Sequence, residues 1–565
     1  MANLFWFIVL IGILIFAHES GHFLFAKLFH VKVLTFSLGF GTPVRLGRFK
    51  LSWRRGETEY RVAWFPIGGF VRMLGEDPTE EITQADRTRS FPAQAAWKRF
   101  LIIFAGPLFS VLLAVPIYFV YHLFDGPAQA PILGLVVAGS PAGQAGLRAG
   151  DRVLQVNGVD TPTWDDVDEA VQDADGGSVE VRIEREGRQL SFRADSIREL
   201  DETGLDLLGE RWDLGLRHSR LGNMVGVVAP DSPAARAGLQ SWDKLLELGG
   251  VPIGGWSDIE RLIALHGTEL LPVRAVRSAD IQIGAVTLRV PVLLEAVLQP
   301  EPEASAPAGA RRTPGAYTGL EPIDLYVMGL VPGFPLEKAG VQPGDKIVAV
   351  LGQPIESWEQ FSRAVLTHPD EPIPLQVRHA GALQDFRLTP ELLSDTNEFK
   401  QTTRKPGLGI KYVHNLLGGA RIPRPDRLTY ALRMSVTMTG RAISMNVLGF
   451  VRIFEGRVAA SEAIGGPLMI YQVAGRSAEK GFGTFVSLMA FMSVLLGMLN
   501  LLPIPILDGG HILFIAIEVI RRRPVSLKAR IAANYVGLLL LVSLMAFAFY
   551  NDISRYWSDF TALFR

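Results

Sequence analysis

His18, Glu19 and His22 stand at the spacing H-E-x-x-H. Residues four apart share one face of a helix, so two imidazoles can hold a single metal ion while Glu19 addresses the attacking water. That arrangement suits hydrolysis. The bland alternative, two surface histidines and a solvated glutamate, fails on cost, because residues 2–29 are almost wholly apolar and ionisable groups inside a membrane segment are expensive and functional by default. A catalytic zinc takes three protein ligands plus water, and a third is offered far downstream, between Asn500 and His511, by Asp508 or by His511 itself. The chain of 565 residues contains no cysteine, which excludes thiolate zinc sites, iron–sulfur clusters, disulfide frameworks and a cysteine nucleophile. Any metal centre must be built from His, Asp or Glu.

The elements that must position these residues are apolar spans. Hydrophobic residues make up 48% of the chain and charged ones only 20%, with mean hydropathy +0.23. Four stretches, 2–29, 100–122, 485–507 and 529–550, reach the ~20 residues that cross a bilayer as a helix. The first has no preceding basic residues and no small-x-small cleavage site, so it is expected to remain in the mature protein rather than act as a signal peptide. Lys/Arg bias sets the orientation: residues 29–98 hold eleven Lys/Arg against seven Asp/Glu, and 521–530 carries Arg521, Arg522, Arg523, Lys528 and Arg530. Both loops read as cytoplasmic, which places 123–484 outside. His18 and His22 then lie toward the inner end of the first span and Asp508 at the inner end of the third, on the same membrane face. A less apolar stretch, 428–454, carries Arg433, Arg441 and Arg452 and reads as an amphipathic helix at the outer interface; a fifth span would move Asp508 to the opposite face. The 56 Lys+Arg and 57 Asp+Glu cancel to −1, so nucleic acid is not an expected partner.

His18-Glu19-x-x-His22 followed by Asn500-x-x-Pro-x-Pro-x-x-Asp508-Gly resembles the site-2 protease family of intramembrane zinc metalloproteases. The resemblance covers roughly 1–125 and 420–555. It implies that Asp508 is the third zinc ligand and His511 is not, that Glu19 is general base and acid, and that Asn500 holds substrate near the metal. Thr58 to Met73 reads as two short strands around a turn at Pro66, Gly68 and Gly69, and resembles the family's membrane-associated β-hairpin. A transmembrane substrate hides its scissile carbonyl in helical hydrogen bonds, so a free strand edge that holds an unwound segment by β-addition has an evident use. Gly106-Pro107-x-x-Ser110 stands where the family usually has Gly-Pro-x-x-Asn, which leaves the role of Ser110 to be found.

The external region repeats itself. Pro141 to Asp151 recurs as Pro233 to Asp243 and Pro335 to Asp345, each followed by a β-rich run ending in Gly158, Gly250 or Gly352. The pattern resembles PDZ domains, which bind extended peptides on a sheet edge; Gly134–Val137, Val227–Val228 and Gly329–Val331 are the candidate groove strands. Trp242 replaces the glycine found at Gly150 and Gly344, making the second module the one expected to have lost peptide binding. The family commonly has two such modules, thought to exclude substrates with large external domains.

The expected fold is therefore a polytopic α-helical membrane protein with four transmembrane helices, a membrane-associated β-hairpin and inserted PDZ domains. The expected units are 1–126 (catalytic half), 127–217, 218–298 and 317–413 (PDZ-like), 299–316 (Pro/Ala-rich linker), 414–484 (external amphipathic helix and loop) and 485–565 (second catalytic half). The expected function, in a bacterial cytoplasmic membrane, is zinc-dependent intramembrane cleavage of single-span proteins. By the resemblance these are anti-sigma factors or remnant signal peptides, with membrane lipid and external peptides or proteins as further partners. A PDZ adaptor with a degenerate metal site is opposed by the complete His18, Glu19, His22 and Asp508 set. A transporter is opposed by the lack of repeated halves.

Overall fold

The computed structural model describes residues 2–46, 49–76, 80, 82–124, 126–199, 210–283, 286–307, 310, 314–396, 402–412, 415–424, 426–456 and 464–562. Among the described residues, four helices are long and apolar enough to cross a membrane: α1 (Ala2–Leu28), α2 (Ala96–Phe124), a later helix Phe482–Asn500, and the last, Leu527–Ala562. α1 and α2 are apolar on every side, as a helix surrounded by lipid and other helices must be. α2 is the hub, with α1 and Phe482–Asn500 packed against it. Its two prolines, Pro107 and Pro116, lie inside the helix, a position tolerated in membrane helices because neighbours re-satisfy the freed backbone groups.

Between α1 and α2 lies a three-stranded sheet in the order β1 (Val33–Pro43), β3 (Thr58–Met73), β2 (Ser52–Arg55). The stretch expected as two short strands is one continuous sixteen-residue strand. Its two arms nevertheless flank β1: Phe36, Ser37 and Leu38 each pair with one residue in Tyr60–Val62 and another in Gly69–Val71. The chain therefore doubles back in the region of Pro66 to Gly68, the side chain of Pro66 being outside those described. Val33, Phe36, Val71 and Met73 pack with Ala26 and Ile102, fixing the sheet to the same ends of α1 and α2. Phe40, Trp64 and Phe65 are exposed, as aromatic residues at a membrane interface are.

Three modules of one plan follow. Each has a four-stranded sheet crossed by one helix: α3 (Trp164–Gln172), α4 (Trp256–His266) and α5 (Trp358–Thr367). Capping boxes at Thr163 and Ser357 start two of these helices. The repeated aspartate is buried and clamps its loop to the third strand: Asp151 to Arg185 at 2.6 Å, Asp243 to Arg277 at 2.7 Å, Asp345 to His379 at 2.6 Å. Trp242 does adopt the left-handed conformation of the glycine it replaces, at φ 73° against 93° for Gly150 and 100° for Gly344, a strained state for an aromatic residue.

Each expected groove strand is already paired by a strand that comes after its sheet. Leu135–Val136 pairs with Leu216–Arg217, Val225–Val227 with Leu320–Pro322, and Gly329–Leu330 with Ile410–Lys411. This corrects one boundary. Residues 299–316 do not separate the second module from the third, because Ala316 and Leu320 belong to the same core as Val225, Leu245 and Ile259. The second module thus runs on to Pro322, with the Pro/Ala-rich stretch as an excursion from it. The third carries its own insertion, a hairpin of Glu391–Thr396 with Thr402–Gly407.

The outgoing chain returns along the incoming one, Leu416–Leu417 beside Arg220–Leu221 and Arg421–Ile422 beside Ala128–Gln129. It then forms α6 (Arg427–Phe454), which packs on α2 and Phe482–Asn500. α6 is amphipathic in a partly inverted sense: beyond Tyr430 and Met434 near its start, its buried stripe is small or polar (Ala431, Ser435, Thr439, Ala442, Asn446), while Leu428, Leu432, Val436 and Val447 face outward. Its start grips the first module, with Tyr430 Oη donating to Asp165 at 2.6 Å and Arg433 paired to Asp166 on α3. After α6 come α7 (Pro467–Glu479), packed on α1, then α8 (Phe482–Asn500), α9 (Asp508–Arg521) and α10 (Leu527–Ala562). The Asp552 carboxylate of α10 accepts from the N–H groups of Gly466 and Leu468 at the start of α7, at 3.0 and 2.9 Å.

Candidate metal centre

α1 places His18 and His22 one turn apart, and the two rings turn the same nitrogen inward, with Nε2 atoms 3.3 Å apart. Asp508 arrives from the other end of the chain. α8 ends at Asn500, Pro503 and Pro505 cannot donate a backbone hydrogen bond, and a turn leads into α9, whose first residue is Asp508. Asp508 thus opens a new helix instead of closing the third span. Its Oδ2 lies 3.1 Å from His18 Nε2 and 3.5 Å from His22 Nε2. Among the described residues this is the one group of three potential ligands, with atoms all within 4.8 Å of one another. His511 is not in it, and Asn500 is half-buried at the end of α8.

These residues fit a cation. The Nδ1 of His22 lies 2.9 Å from the Ile102 carbonyl, which can only accept, so Nδ1 carries the proton and Nε2 presents a lone pair. That lone pair converges on Asp508 Oδ2, a buried oxygen with no hydrogen-bond partner. Such a concentration of acceptors away from water is unfavourable unless something positive sits among them. Two histidines and a carboxylate form a nitrogen–oxygen set of the kind that binds zinc, with a coordination position left over for catalysis.

Several residues that serve this geometry carry no obvious signature in the sequence. α2 supplies both outer contacts, the Ile102 carbonyl to His22 and the Ser110 hydroxyl to His18 Nδ1 at 3.0 Å. The same helix makes room for His22: a methyl group on Gly106 would lie 2.2 Å from its Nε2. The Gly106-Pro107-x-x-Ser110 spacing was the one available signal. Arg99 at the start of α2 makes a two-pronged ion pair with Glu518 of α9, at 2.6 and 3.2 Å, fixing the helix that carries Asp508. Substituting Gly106 by Ala should therefore displace His22 and reduce bound metal from one equivalent to a small fraction, measurable by elemental analysis of purified protein whose helix content is unchanged.

Glu19 is buried beside the ligands and accepts a hydrogen bond from the backbone N–H of Val71. Gly69 comes so close that an added methyl would meet the Glu19 Cγ at 3.0 Å and Ile15 at 2.6 Å. The second arm of β3 therefore runs directly past Glu19. Of the hairpin residues named from sequence, Gly69 reaches the site, while Gly68 packs on Phe40 farther along the turn.

Fold and site together define a chain with four helices, among the described residues, long and apolar enough to cross a membrane, and a buried cluster of two histidines and an aspartate that could hold a metal ion, with a glutamate beside it. The sequence profile of peptidase family M50 matches residues 6–544, and the chain belongs to that family. It is similar to a Neisseria meningitidis protein whose name describes a zinc metalloprotease, with 30% identity over 560 residues, 98% of this chain and 99% of that one. It is similar also to the regulator of sigma-E protease RseP of Escherichia coli, 29% identical with 97% and 98% covered, and to protease RseP of Yersinia pestis, 28% identical with 98% and 100% covered.

Proposed function

We propose that the protein is a zinc-dependent intramembrane endopeptidase that cuts the transmembrane segments of single-span proteins, of the anti-sigma factor or remnant signal peptide type. The observation that carries this reading is the convergence of His18, His22 and Asp508 inside a bundle of apolar helices, with Glu19 and a strand arm beside them. His18, His22 and Asp508 hold the ion. Zinc, when bound, polarises the scissile carbonyl and makes water nucleophilic near neutral pH. Glu19 takes the proton of the attacking water and delivers it to the leaving amine nitrogen, so the peptide C–N bond breaks with protons balanced. The arm Gly69–Val71 holds the unwound substrate in extended form by β-addition, and Asn500 steadies it from the end of α8.

The Lys/Arg-rich loops face the cytoplasm and the three modules lie outside a bacterial inner membrane. The modules are PDZ-like, with the second the least suited to peptide capture because Trp242 occupies its glycine position. Held by α3 against α6, they act as a filter that admits substrates already shortened outside. The test is a pair of single-span substrates with the same transmembrane segment, one with an intact external domain and one truncated. The full-length enzyme should cut only the truncated form efficiently, and Asp165→Asn with Asp166→Asn, which loosens the first module from α6, should raise cleavage of the intact form. Equal rates on both substrates with the unaltered enzyme would overturn the filter, whereas cleavage of neither by zinc-loaded protein would overturn the peptidase.

A further inference from the structure

The two histidines of the metal centre receive their outer contacts from one helix, and the two contacts differ in kind. The Ile102 carbonyl can only accept, so the His22 tautomer is settled by the backbone. His18 Nδ1 faces a hydroxyl instead, Ser110 Oγ at 3.0 Å, and a hydroxyl either accepts or donates. Metal binding through His18 Nε2 requires that nitrogen to be unprotonated, which puts the proton on Nδ1 and makes Ser110 the acceptor. Ser110 is fully buried, so no water can stand in for it, and its backbone is held by α8, where the Ser493 hydroxyl donates to the Ser110 carbonyl at 2.6 Å.

We infer that Ser110 is a positioning residue for the metal centre: its hydroxyl accepts the Nδ1 proton of His18 and so fixes the ring orientation and tautomer that direct Nε2 to the ion. The inference rests on the zinc reading proposed above. It gives the last residue of Gly106-Pro107-x-x-Ser110 a defined task, and divides that motif between the two ligands, Gly106 making room for His22 and Ser110 orienting His18. A serine is sufficient because one hydroxyl reaches one ring nitrogen; the second hydrogen-bonding group of an asparagine is not used for this bond.

The alternative is that Ser110 merely fills space between α1, α2 and α8. Zinc affinity, measured by chelator competition on the purified full-length protein in detergent, separates the two. Loss of an outer-shell partner of this kind typically weakens metal binding roughly 10- to 100-fold, and Ser110→Ala should show a weakening in that range. Ser110→Thr, which keeps the hydroxyl, should restore affinity close to that of the unaltered protein. Ser435→Ala, which removes a fully buried hydroxyl that donates to the Leu432 carbonyl within α6, is the packing control and should leave affinity unchanged. Cobalt-substituted Ser110→Ala should also show an altered visible absorption spectrum. Unchanged zinc affinity and an unchanged cobalt spectrum in Ser110→Ala would overturn the inference, as would a Ser110→Thr variant no better than Ser110→Ala. If the unaltered protein itself bound no zinc, the metal reading beneath it would fail instead.

Discussion

Substituting Glu19 by Gln yields a folded, zinc-loaded protein that no longer cleaves. Glutamine matches glutamate in volume, and its carbonyl oxygen can still accept the Val71 N–H, so the contact between β3 and α1 survives. His18, His22 and Asp508 are untouched, and metal content should stay at one equivalent. What is lost is the ability to take a proton from water and pass it to the leaving amine. General acid–base groups contribute about 10²- to 10⁴-fold to rate, and here one carboxylate serves both steps, so the expected loss lies at or beyond the upper end of that range. The measurement is single-turnover cleavage of a co-reconstituted single-span substrate beside metal analysis of the same preparation. Cleavage within tenfold of the unaltered enzyme would show that the proton moves by another route. The inactive variant should also retain its substrate, and recovery of the bound membrane proteins would name the natural ones.

Why the histidine half of this site was readable from sequence, and the rest less so, has a physical explanation. His18, Glu19 and His22 lie within one helical turn, where spacing alone dictates a shared face, and the apolar surroundings of residues 2–29 remove the solvated alternative. Asp508 was reachable through orientation, since charge bias in two loops placed it at the depth of the histidines. That it opens α9 was not readable, because the end of a span and a proline-containing turn into another helix have the same composition. Ser110 and Gly106 sit in α2 among residues as apolar as any lipid-facing set. Only packing reveals that one bonds His18 and the other leaves space for His22.

The three β-rich modules show the complementary limit. Their internal cores repeat in sequence because each repeats the same loop, aspartate clamp and turn. Their closing strands do not, since the pairs involving Leu216–Arg217, Leu320–Pro322 and Ile410–Lys411 are two or three residues long, too short to display a period. The Pro/Ala-rich stretch 299–316 looked like a spacer by composition, yet the residues immediately after it complete the core of the preceding module. For the same reason the strand expected to bind peptide and the strand that closes each module cannot be told apart until pairing is known.

One consequence of that closure is the second large effect. Leu320–Pro322 closes the second module, and the carboxylate of Glu321 points into the third, where it meets Lys346 Nζ at 2.6 Å, Tyr326 Oη at 3.1 Å and the guanidinium of Arg378. Glu321 is fully buried and Arg378 nearly so, at 2% exposure. Burial alone would raise the Glu321 pKa, but the positive charges of Lys346 and Arg378 outweigh it and hold the carboxyl at about 2, against an ordinary 4.5. A lowered folded-state value means stability that is fully present above the unfolded value and is lost as pH falls through the folded one. A displacement of this size is worth about 3 kcal/mol, so the junction between the second and third modules should weaken between roughly pH 4.5 and pH 2. At neutral pH, Glu321→Ala strips Arg378 and Lys346 of this carboxylate in a buried setting, which typically costs about 3–5 kcal/mol. In the full-length protein this should appear as a lowered melting transition and faster proteolysis at the junction, with metal content unchanged because the junction lies in the β-rich modules and not in the helices that carry His18, His22 and Asp508. Below pH 2 the difference from the unaltered protein should vanish, since protonated Glu321 no longer balances the two cations. Identical melting and proteolysis at pH 7 would mean that the Glu321 carboxylate does not fix the second module to the third, leaving the two to swing as independent bodies. In that case a filter built from them could not have a fixed aperture.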